Sequence, residues 1–90
     1  MTATRTEIVE WLETAKQHKD AFLIIGLDPF DHDNFPIYCQ TAQVCTEALT
    51  RLIRHGNSYD EVYDMSLPID TQLAERRSMH LPPKDGEKHV

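Results

Sequence analysis

Residues 21–27, Ala-Phe-Leu-Ile-Ile-Gly-Leu, form the most apolar run in the chain, with no polar side chain among them. The run is short, β-branched at its centre and suited to a strand, whose side chains alternate between two faces. Phe22, Ile24 and Gly26 point one way; Leu23, Ile25 and Leu27 point the other. A strand apolar on both faces belongs at the centre of a sheet, and something must cover each side of it.

The flanking segments supply the candidates. Before the strand, Thr4 and Glu7 have capping-box spacing, and Ile8, Trp11, Leu12 and Ala15 fall on one stripe at helical period. After it, residues 35–40 read as a second strand, with Pro36 marking its start or an edge position because proline cannot donate to a ladder. Residues 41–58 hold the clearest helix: Val44, Ala48, Leu49, Leu52 and Ile53 recur at helical spacing, Thr41 caps the start, and Gly56 supplies the left-handed stop. A third strand over 58–67 alternates, with Tyr59, Glu61, Tyr63, Met65 and Leu67 on one face and Ser58, Asp60, Val62, Asp64 and Ser66 on the other. Its acids suit an edge. A short helix capped by Asp70, with Leu73 and Ala74 facing in, can follow.

The expected architecture is an α/β (α+β) two-layer sandwich of order α-β-β-α-β with a short C-terminal helix. Its three-stranded antiparallel sheet runs in the order 2-1-3, both helices lie on one face, and a single domain spans 1–81 with a flexible tail over 82–90. Two helices on one face leave the other apolar face to the C-terminal segment, a second copy or a protein partner. A homodimer is the expected consequence.

Ninety residues build one small core and leave little room for a deep substrate pocket. Nine basic against fifteen acidic side chains give a net charge of -6. That balance disfavours direct nucleic-acid binding and favours basic protein partners. Cys39, at a strand end, and Cys45, on a helix, have neither zinc nor C-x-x-C spacing, so reduced, partly buried thiols in a cytoplasmic protein are expected. The apolar run is too short to span a bilayer, and no segment has the form of a signal peptide.

The chemistry-bearing residues concentrate after the central strand: Asp28, Asp31, His32 and Asp33 within six residues, closed by Asn34-Phe35-Pro36. Three carboxylates and an imidazole could take manganese or zinc, or form an acid–base pair at Asp31 and Asp33. Neither EF-hand spacing nor H-E-x-x-H is present, and no nucleophile or phosphate cradle stands beside them. The competing reading is ordinary turn chemistry, in which Asp28-Pro29 starts a turn and Asp31 and Asp33 bond to local amides.

The pattern from Asp28 through Phe30, Asp31, Asp33, Phe35, Pro36, Ile37 and Tyr38, followed downstream by Glu61, Val62, Tyr63 and Asp64, resembles small proteins encoded by bacteriophages and their hosts. The resemblance covers about half the chain and brings no assigned activity. It implies an accessory role, such as an inhibitor or modulator of a host protein.

The reading as a whole is a non-enzymatic, cofactor-free protein-interaction module whose partner surface is Asp28, Phe30, Asp31, His32, Asp33, Phe35, Tyr38, Asp60, Glu61, Tyr63 and Asp64. The alternatives are a metal-dependent enzyme built on the 28–33 loop and a small-molecule-binding regulator. Elemental analysis discriminates the first. The purified chain is expected to carry no stoichiometric zinc or manganese and to show no rise in melting temperature when either is added. About one ion per chain, lost in Asp31→Ala, would reverse that reading.

Overall fold

The computed structural model describes residues 2–75 and 77–82. Its elements are α1 (Arg5–His18), β1 (Phe22–Leu27), β2 (Asn34–Cys39), α2 (Ala42–Arg54), β3 (Ser58–Asp64) and α3 (Ile69–Ala74). The sheet order is β2-β1-β3, with β1 antiparallel to both neighbours, as the doubly apolar strand requires.

Local signals set the helix ends. Thr4 and Glu7 form the complete capping box of α1, and the Thr41 hydroxyl accepts the Val44 N–H at the start of α2. Gly56 (φ 77) ends α2, with the Gly56 N–H on Ile53 C=O and the Asn57 N–H on Leu52 C=O. This is the two-bond exit that satisfies the last carbonyls. At the end of α1 the same role falls to Lys19, left-handed at φ 60 although it has a Cβ.

The helices do not share a face. The Cys45, Ala48 and Leu52 side of α2 packs with Phe22, Ile24, Cys39 and Val62. The Ile8, Leu12 and Ala15 side of α1 packs with Leu23, Ile25 and Tyr63, joined by Ile69 and Leu73 of α3. The expected two-layer arrangement is therefore corrected to helices on both sides of the sheet. The reason is the alternation of β1: Leu23, Ile24 and Ile25 are each fully buried, which one helical layer cannot achieve. The ground for a homodimer, an uncovered apolar face, goes with it.

A second correction concerns β3. The ladder runs Ile25↔Glu61 and then Gly26↔Tyr59, so Asp60 is an extra residue in a bulge. One extra residue reverses the facing of everything beyond it. Tyr59 consequently joins the α2 side with Val62, while Glu61 and Tyr63 stay on the α1 side. In α3, Asp70 lies within the first turn and makes no cap; Pro68 precedes the helix, Gln72 is the buried residue, and Ala74 is exposed.

Backbone directions explain the proline. Ala21 C=O accepts from the Met65 N–H, so Leu23 and Ile25 address β3 while Phe22, Ile24 and Gly26 address β2. On β2 the residues facing β1 are then Phe35, Ile37 and Cys39, and Pro36 turns its missing donor to the open edge. The outer edge of β3 is occupied instead: Val62 donates to Ser78 C=O and accepts from the His80 N–H. Residues 78–80 thus run beside β3. Pro82 is buried, and the rest of the expected tail, from residue 83, lies outside the described residues.

The Phe35 ring lies over Gly26, where an added Cβ would stand 2.5 Å from two of its carbons. Gly26→Ala is expected to cost about 1–3 kcal/mol in chemical denaturation, and much less in a Phe35→Leu background with its smaller side chain. Equal costs in both backgrounds would show that the ring is not the obstacle.

Candidate functional site

The loop between β1 and β2 is a closed turn. The Asp28 side chain accepts from the Phe30 N–H (2.8 Å) and the Asp31 N–H (3.4 Å). Its backbone donates to Asp33 C=O (2.9 Å) and accepts from the His32 N–H (2.9 Å). His32 adopts the left-handed conformation, φ 58, that lets six residues reverse the chain. Asp28 thus bonds the Phe30 and Asp31 amides of the turn. Among the described residues, no group of three or more His, Cys, Asp or Glu side chains is placed to hold a metal ion.

The same turn projects Phe30 outward, 90% exposed, between the exposed Asp31, His32 and Asp33 and the half-buried Asp28. Pro29 and the two Asp28 side-chain bonds hold the backbone on either side of it.

The other predicted residues divide. Asp60, at the bulge, lies at the same end of the sheet as the loop, because Asn34 donates to Asp60 Oδ2 (2.9 Å) and to Gly26 C=O (3.0 Å). Tyr38 and Asp64 lie toward the opposite end, in register with Leu23 and Phe22. There the Tyr38 ring meets His18 edge-on, 5.3 Å between centroids. Asp64 accepts from the Ser66 N–H and hydroxyl. Phe35 is half-buried over Gly26. Glu61 and Tyr63 are buried, a correction to the expected surface, because the α1 side of β3 is an interior face.

Glu61 is the centre of a network that sequence reasoning missed. Arg5 Nη1 bonds both its oxygens (3.1 and 3.0 Å), the Tyr63 hydroxyl donates to Oε1 (2.8 Å), and the Ser78 N–H donates to the same oxygen (3.2 Å). Arg5 also reaches Glu75 C=O, and Arg77 bonds the carbonyls of Asp60 and Tyr59. One carboxylate thus ties α1, β3 and the 75–80 segment together. Its only sequence signal was a lone acid among aromatic residues; its partners are 56 residues upstream and 17 downstream.

An open cleft lies over this network, lined by Ala3, Arg5, Asn34, Asp60, Glu61 and Arg77. Asn34 closes its floor, accepting the Ala3 N–H at 2.7 Å. Both arginines already bond groups of the fold here, so the cleft reads first as a fastening of α1 and Arg77 onto the sheet.

Comparison with family models, curated proteins and solved structures finds no match to this chain.

Burial, followed by the bond to Glu61, pushes the Tyr63 hydroxyl well above the ordinary tyrosine range. The folded state therefore holds that proton more tightly than the unfolded chain does. The stability it contributes is complete below about pH 10, the unfolded value, and falls as pH rises beyond it. Spectrophotometric titration of the three tyrosines should show one ionising only at the alkaline unfolding transition, and Tyr63→Phe should flatten the loss of stability above pH 10. Three tyrosines titrating together in the folded protein would contradict this.

Proposed function

We propose that this protein is a non-catalytic interaction module that grips a protein partner with the Phe30 hairpin tip. The carrying observation is a phenylalanine 90% exposed on a turn whose backbone is fixed by Asp28. A large aromatic left in water forgoes about 1.5–3 kcal/mol of burial, which a partner pocket can recover. Because the turn is already fixed, little ordering remains to oppose binding. Asp28, Asp31 and Asp33 around the ring favour a basic-rimmed apolar pocket, their charge acting on approach rate and partner choice more than on final affinity.

This reading narrows the partner surface to residues 28–33 with Asp60 beside them. The resemblance to small phage and host proteins supports an accessory role in which the partner is a host protein and binding modulates it. A cytoplasmic setting fits the two cysteines kept as thiols. No helix among the described residues is long and apolar enough to cross a membrane.

The test is co-purification from bacterial lysate with wild-type chain, Phe30→Ala, and an Asp31→Asn/Asp33→Asn double variant. A partner retained by wild type is expected to bind Phe30→Ala at least about tenfold more weakly, with melting temperature unchanged. The double variant should bind more slowly and with weaker dependence on salt. A partner that ignores Phe30 would overturn the proposal.

A further inference from the structure

Cys39 and Cys45 are fully buried in one cluster beneath α2. Cys39 ends β2, and Cys45 sits one turn into α2, its N–H bonded to Thr41 C=O. Between them the chain makes one tight turn whose apex, Gln40 and Thr41, is exposed. The neighbouring Cys45 thiol holds Cys39 below the ordinary thiol range, and Cys39 together with burial pushes Cys45 above it. The Cys39 thiol in turn points at Ile37 C=O, 3.8 Å away.

A buried carboxylate stands next to the pair. The Ala21 N–H bonds Cys39 C=O at 2.8 Å, which sets the preceding residue, Asp20, against the end of β2, where its charge acts on Cys39. The Asp20 side chain is 2% exposed, and its Oδ2 accepts no hydrogen bond; His18 Nδ1 lies 3.3 Å away without hydrogen-bond geometry. A buried, under-bonded carboxylate is costly to folding. His18 is its ion-pair partner, and the oxygen left without a hydrogen bond is open to a proton from the dithiol.

We propose that Cys39 and Cys45 form a peroxide-responsive dithiol that closes to an intrachain disulfide, with Asp20 as its proton acceptor. In the first step the Cys39 proton passes to Asp20 while the sulfur attacks hydrogen peroxide. The S–O bond forms, the O–O bond breaks, and the departing hydroxide takes the proton from Asp20 as water. In the second step the Cys45 sulfur attacks the sulfenic sulfur of Cys39. The S–S bond forms, the S–O bond breaks, and the hydroxyl leaves with the Cys45 proton as a second water. Two thiols and one peroxide become one disulfide and two waters. Opening of the exposed Gln40–Thr41 turn, a local event, is the route by which the small neutral oxidant reaches both sulfurs. The product staples the end of β2 to the first turns of α2 and leaves the Phe30 turn, at the other end of β2, untouched.

The experiment exposes the folded full chain to hydrogen peroxide and follows intact mass, free-thiol titre and peptide maps. A loss of two hydrogens, no titratable thiol and a Cys39–Cys45 linked peptide, all reversed by dithiothreitol, are expected. Asp20→Asn should slow the loss of thiols at least about tenfold. Cys45→Ser should stop at a Cys39 sulfenic acid that a dimedone probe traps. Two thiols still titratable while controls oxidise, only intermolecular disulfides, or only sulfinic and sulfonic products would each overturn the proposal. The wild-type result decides even where a variant fails to fold.

Discussion

The two-sided burial of β1 is the constraint on which everything else rests. Leu23, Ile24 and Ile25 have no exposed area, and consecutive strand residues cannot share a face. With only three strands, the chain has to put a helix on each side. It does so with α2 over Phe22 and Ile24 and with α1 over Leu23 and Ile25, where α3 completes the cover. A ninety-residue chain that folds this way has little surplus with which to build a pocket.

The open rims of this sheet are treated differently. On β2, Pro36 faces outward and removes a donor from the edge. On β3, residues 78–80 add on in parallel and Glu61 fastens them from inside. A carboxylate so little exposed needs compensation, and it receives the Arg5 guanidinium, the Tyr63 hydroxyl and the Ser78 amide. The Asp60 bulge makes the arrangement workable, since it frees Asp60 to meet Asn34 while Glu61 remains inside. The polar residues of β3 are thereby spent on holding the chain together.

The β1–β2 turn and the thiol pair sit at opposite ends of β2, so one short strand separates the two features proposed to act. They use different physics. The proposed Phe30 contact would use apolar burial on a backbone fixed in advance, and the proposed dithiol covalent chemistry shielded from bulk water.

From the sequence alone, the element order, the strand order 2-1-3, the capping box at Thr4–Glu7 and the glycine stop at Gly56 were all determined, because each depends on neighbours within a few residues or on a hydrophobic period. The turn character of 28–33 belongs to the same class, with Asp28 bonding the Phe30 and Asp31 amides. Only the tertiary structure decided that the helices take opposite faces, that Asp60 is an extra residue reversing Tyr59, and that Glu61 binds Arg5 and Ser78. Local periodicity says which side chains share a face, not which of two equally apolar faces a helix will choose. It is also silent on an inserted residue and on a carboxylate whose partners are 56 and 17 residues away. Those follow from the requirement that every buried surface and every buried charge be covered at once.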